Sequence, residues 1–149
     1  MTLTATLKSL FSRDLAKLKS EIEAYQKEEN IWRVEENITN SAGNLCLHLV
    51  GNLNTFIGAE LGATGYVRNR EFEFAGKGVP RDALLEQIIK TIEMIGITLD
   101  GLTPEQMERE YQKVVFKDKM STEYFLIHLS THLAYHLGQI NYHRRLLDN

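Results

Sequence analysis

Residues 127–143, IHLSTHLAYHLGQINYH, decide how the chain is read, because four of its five histidines, His128, His132, His136 and His143, fall in this stretch. Ser121, with Glu123 two positions later, supplies helix-start chemistry. From there to Leu147 nothing but Gly138 interrupts the pattern, so the longest helix is expected here. Side chains four apart on a helix lie one above the other, with Cβ atoms about 5 to 6 Å apart, so two imidazoles at that spacing can share one metal ion. His128 and His136 are separated by about 12 Å of helix rise and cannot close on the same ion. The ladder therefore offers His128/His132 or His132/His136, and His132 belongs to both pairs.

Working outward, Leu3, Leu7, Leu10, Phe11, Leu15, Leu18 and Ile22 recur at spacings of three and four. They predict an amphipathic helix over Leu3–Gln26. Glu28–Thr39 reads as an ordered connection without a strong period. Asn40, Ser41 and Gly43 precede Leu45, Leu49, Leu53, Phe56 and Ile57, which predicts a second helix over Ser41–Leu61, ended by the glycines at 58, 62 and 65. Tyr66–Val79, YVRNREFEFAGKGV, shows no helical stripe and reads as a crossover loop, longer than a usual helix hairpin. Pro80 and Asp82 open a third helix that carries Leu84 to Ile95 and runs to about Leu99. Glu105–Lys119 could hold a short helix and an extended piece at Val114–Phe116, and the sequence decides neither. Four amphipathic helices without an alternating strand pattern predict an all-α four-helix bundle, formed as one domain over residues 1–149. The long crossover can join helices that are not hairpin neighbours, or cover one end of the bundle.

Composition narrows the function classes. With 17 Lys plus Arg against 20 Asp plus Glu, the net charge of −3 gives no general attraction to nucleic-acid backbones or anionic lipid. No apolar run is long and uncharged enough to span a bilayer, and the first fifteen residues lack the core of a secretory signal. One cysteine, Cys46, cannot form an intramolecular disulfide, which suits a reducing compartment, so a cytoplasmic location is expected. There is no phosphate-binding glycine loop, no nucleophile elbow and no Cys-x-x-Cys pair. The carboxylates do not give a di-iron set.

An open metal site needs a donor from another helix, and His48, set among Leu45, Leu47, Leu49 and Val50, is the candidate. Its alternative is a hydrogen-bonded core histidine; the alternative for the ladder is a polar seam or an oligomer contact. Gln139 could orient a ligand or bond across helices. Arg68 and Arg70 could receive a carboxylate, or remain solvated loop charges. Tyr124 and Tyr135 could donate hydrogen bonds near the site or simply pack. His128 and His143 are expected to be pocket, outer-shell or solvated residues.

His132-Leu-Ala-Tyr-His136-Leu-Gly-Gln139-Ile, followed by His143-Arg-Arg, resembles the C-terminal signature of the DinB-like (YfiT-like) superfamily. HLVGNL at 48–53 resembles its second-helix histidine region, and RNREFEF at 68–74 the crossover of one of its branches. The resemblance implies a divalent ion, Zn or Ni ahead of Fe, held by His48, His132 and His136. It also implies an up-down-down-up bundle with a long crossover, often a homodimer. Relatives that use low-molecular-weight thiols imply a thiol cosubstrate and a small-molecule S-transfer; metal-assisted hydrolysis, or a non-catalytic metal-binding role, are the alternatives.

Overall fold

A computed structural model describes all 149 residues and contains helices, turns and two isolated bridges, Glu35 with Ile38 and Glu110 with Ser121, but no strand. The four long segments predicted from periodicity are helical: α1 (Leu3–Ala24), α2 (Ala42–Leu53), α4 (Arg81–Asp100) and α6 (Thr122–Leu147). Two short helices lie between them, α3 (Arg70–Ala75) and α5 (Pro104–Glu108). Three of the long helices start at a hydroxyl that accepts a backbone N–H of the first turn. Thr2 accepts from Ala5, Ser41 from Asn44 and Ser121 from Tyr124, each at 3.1 Å. Such a cap satisfies one of the four N–H groups a helix start leaves unpaired.

The second helix departs from the expected form. After Leu53 the backbone widens into a π-helical turn over Asn54–Ala59 and closes with one α-turn at Glu60–Gly62, where Ala63 takes a left-handed conformation at φ 49°. The Asn54 amide donates to the Val50 carbonyl and to Thr91 of α4, at 2.8 and 2.9 Å, fixing the widened turn against its neighbour. Gly58 does not end the helix, which runs on to Gly62. Both glycines lie where it meets α4, and a Cβ on Gly62 would come within 2.6 Å of Thr98 Oγ1.

Directions follow from which residues meet. Along α2 and its extension, Asn54 meets Thr91, Gly58 meets Met94 and Gly62 meets Thr98, so α2 and α4 run parallel. Lys8 pairs with Asp100, while Arg81 donates to the Glu23 carbonyl, so α1 and α4 are antiparallel. Tyr25 meets His143 and Phe56 meets Phe125, which places α6 parallel to α1 and antiparallel to α2 once His48 is seen against His132. The bundle is therefore up-down-down-up, with the long crossover returning the chain from the end of α2 to the start of α4. Its centre is filled by Phe11, Leu15, Leu18 and Ile22 of α1, Leu49 and Leu53 of α2, Leu84 and Ile88 of α4, and Phe125 and Leu133 of α6, all buried. Burying each such side chain contributes about 1.5–3 kcal/mol.

Two connections need correction. The crossover is not only a loop, because Arg70–Ala75 forms α3, capped by the Asn69 carboxamide accepting from Phe72 N–H at 3.1 Å. Its alternation of acid and aromatic residues hides a helix too short to show a stripe. After α5, which opens on a Thr103–Gln106 capping box, Val114–Phe116 makes no strand and lies exposed.

Candidate metal centre

His48 sits near the middle of α2 and is buried, while His132 and His136, one turn apart on α6, are half-buried facing it. Each offers one ring nitrogen, and these three atoms lie within 4.8 Å of one another. Of the two pairs the ladder allowed, the fold thus brings His132/His136 to His48. His128 stands one turn further, its ring stacked 6.4 Å from that of His132 and edge-on to Phe116 at 4.8 Å.

Which nitrogen faces inward is set by what holds the other. His48 Nδ1 lies 3.1 Å from Glu73 Oε1, and His136 Nδ1 lies 2.6 Å from Gln139 Oε1. Both partner atoms accept only, so each Nδ1 carries the proton and each Nε2 keeps its lone pair for the centre. His48 Nε2 and His132 Nε2 are 3.3 Å apart. His132 Nδ1 is buried without a hydrogen-bond partner, so this ring, unlike the other two, has no outer group that fixes its tautomer.

Glu73 was not foreseen from the sequence. It projects from α3 into the bundle, 4% exposed, where Arg68 grips it with two bonds, Nε to Oε2 at 2.8 Å and Nη2 to Oε1 at 2.9 Å. The available signal was Asn69 with two glutamates in the following turn, a helix-start pattern inside the presumed loop. Arg68 is thereby engaged by Glu73 and packs over Phe56, its Cζ 5.8 Å from the ring centre. Arg70 is exposed over Phe74, whose ring lies 4.9 Å from that of His48.

Burial pushes the His48 imidazole below its ordinary pKa of 6.5, against the opposing hydrogen bond from Glu73. His132 is lowered to about 4, first by burial and then by the neighbouring His136, His48 and His128. Both rings are neutral at pH 7, the state in which imidazole donates to a metal. Three imidazoles aimed at one point from two helices, two of them with fixed tautomers, fit a divalent ion with positions left open. Cys46 is fully buried and its thiol is pushed up to about 12, so it offers no thiolate.

The remaining candidates fall outside the triad. Tyr135 is exposed with its ring 5.3 Å from that of His136, and Tyr124 is exposed at a cavity of about 580 Å³ that it shares with His128, Phe116, Lys117, Lys119 and Ser121. Gly138 is open to solvent and makes no close helix approach. His143 is buried elsewhere, between Tyr25 and the Arg33 carbonyl.

The bundle has the fold that the resemblance to DinB-like proteins implied, with a histidine cluster between its second and last long helices. Residues 5–149 match the family described as protein of unknown function (DUF1572), and the chain belongs to that family. The crystal structure of a DinB-like protein, YjoA from Bacillus subtilis, superposes with a TM-score of 0.68 at 20% identity, covering 94% of this chain and 90% of that one. No curated protein matches the sequence. No helix is long and apolar enough to cross a membrane.

Proposed function

We propose that this chain is a metal-dependent enzyme acting on a small molecule, with transfer to or from a low-molecular-weight thiol as its chemistry and Zn or Ni as its ion. The observation that carries the reading is the set of three imidazole nitrogens within 4.8 Å, supplied by His48, His132 and His136. Three protein donors suit a catalytic centre, whereas structural zinc sites close with four. A divalent ion held there would favour the thiolate form of a bound thiol. The protein's own part is to hold His48 and His132 neutral and to orient His48 through Glu73 and His136 through Gln139. A substrate is expected to enter from the cavity at Phe116, Tyr124 and His128, since His128 lines that cavity and its ring lies 6.4 Å from that of His132. Arg70, exposed at the head of α3, is the guanidinium placed to meet a carboxylate of the thiol, because Arg68 is already paired.

Cobalt-loaded protein titrated with small thiols tests this reading. A saturable thiolate-to-cobalt absorption band is expected in the wild type and none in His132→Ala. Cobalt that stays bound with no thiol-dependent band at any concentration rules out thiol chemistry.

Pairing of two copies is supported by the solvent face of α6, where Tyr124, Ile127, Tyr135, Tyr142 and Leu146 are exposed at spacings that keep them on one side. Light scattering should give twice the 17.1 kDa chain mass, reverting towards one chain in Tyr135→Glu. A wild type that runs as one chain removes the proposal.

A further inference from the structure

We infer that Glu73 is a positioning residue of the metal centre, so that the crossover is part of the site rather than a connection past it. The inference rests on the metal-binding reading above. Glu73 is a buried carboxylate on a six-residue helix; its Oε2 accepts from Arg68 Nε, and its Oε1 accepts from both Arg68 Nη2 and His48 Nδ1. A charge this far from water is retained only when paired, and a buried pair of this kind is weak as a stabilising device. Its geometry instead suits the control of one imidazole. A carboxylate on Nδ1–H fixes the tautomer, holds the ring plane and makes Nε2 the more basic donor.

Two features outside the pair are shaped around this carboxylate. Gly51, in the turn of α2 after His48, lies against it, and a Cβ there would overlap Glu73 Oε2 and Cδ. The absent side chain is what lets the carboxylate approach α2. Asn44, a turn before His48, donates through its amide to the carbonyls of Glu73 and Gly76, at 2.9 and 2.8 Å, and so clamps the C-terminal half of α3 to the same helix. Asn44 and Gly51 therefore bracket His48 on α2 and serve one residue of the crossover.

The test measures zinc affinity by chelator competition in the full chain, together with the ligand-field spectrum of the cobalt form. The variants are Glu73→Gln, Glu73→Ala, Gly51→Ala and, as reference, His132→Ala. Glu73→Ala is expected to bind zinc about 10- to 100-fold more weakly, the usual effect of removing an outer partner of a ligating histidine. Glu73→Gln keeps an oxygen acceptor for Nδ1–H without the charge and should fall between wild type and Glu73→Ala. Gly51→Ala leaves the carboxylate in the chain but displaces it with a methyl group, and should weaken zinc while the helix itself, given a better helix former, stays folded. The cobalt bands should shift in all three. Unchanged affinity and spectrum in Glu73→Gln and Gly51→Ala, with zinc still lost in His132→Ala, would overturn the inference and leave the metal centre standing. A wild type that takes up no zinc would overturn both. If Glu73→Ala does not fold, the other two variants decide.

Discussion

His132→Ala is expected to abolish metal binding, while untagged wild-type protein, prepared without chelators or nickel resin, carries about one divalent ion per chain. His132 Nε2 lies 3.3 Å from His48 Nε2, and the three rings stand at the corners of a triangle, His132 being 5.1 Å from His48 and 4.6 Å from His136, which are 5.2 Å apart. Its removal leaves only two imidazole donors, His48 and His136, on different helices. Losing an outer-shell partner already costs about 10- to 100-fold in affinity, so losing this ligand should cost more than about 100-fold. Proton competition has a defined sign here. Burial lowers His132 to about 4, so at that residue protons displace the ion only as the pH approaches 4. Elemental analysis of both proteins checks the expectation, and a variant that retains the wild-type metal content would show that His132 is not a ligand.

The parts of this centre that repeat along one helix were legible, and those assembled across the chain were not. His132 and His136 announce themselves by a spacing of four on an uninterrupted helix. His48 needed a second helix to be placed opposite, which the leucines around it and the resemblance supplied. The choice of His132/His136 over His128/His132 depends on the register of α6 against α2, and no local pattern carries that register. Glu73 illustrates the harder case. Its role exists only because six residues of the crossover fold as α3 and dock on Asn44 and Gly51, contacts separated from it by more than twenty positions in sequence. The π-helical turn after Leu53 was hidden for a related reason: a single turn of altered winding keeps nearly the same apolar pattern as an α-helix. Crossover length alone left open helices that are not hairpin neighbours or a covered bundle end, and the up-down-down-up order came from the resemblance; parallel α2 and α4 demand a connection that travels the height of the bundle.

The histidine one further step along α6 should behave in the opposite way: His143→Ala is expected to keep its metal and lose stability. Both of its nitrogens are used inside the protein. Tyr25 Oη lies 2.6 Å from Nδ1, and Nε2 lies 2.8 Å from the Arg33 carbonyl. Since a carbonyl only accepts, Nε2 carries the proton and Nδ1 accepts from the tyrosine. Burial, then Asp148 and Glu21, raise the Tyr25 pKa and keep that hydroxyl protonated. The link joins the end of α1, the 3₁₀ turn Glu28–Trp32 and the last turns of α6, beside Asp148, which accepts from the Gln26 and Lys27 N–H groups and from Asn30. Truncation leaves the Tyr25 hydroxyl and the Arg33 carbonyl without their partner, at about 1–3 kcal/mol for a buried unsatisfied group, and opens a cavity besides. A loss of about 2–4 kcal/mol follows, or about 5–12 °C in Tm for a chain of this size. The dependence on acid is the sharper readout. Burial lowers the folded pKa of His143 below the unfolded value of 6.5, with the bond to Arg33 opposing it. Neutral His143 therefore contributes stability that is fully present above about pH 6.5 and is lost as the pH falls towards its lower folded pKa. His48 and His132 contribute with the same sign in metal-free protein, so the comparison is the difference between wild type and His143→Ala. That difference in unfolding free energy, measured by urea denaturation, should be largest above neutrality and shrink as the pH falls below 6.5. A difference that stays constant over this range would mean that the neutral imidazole is not what holds the C-terminal end of α6 in place.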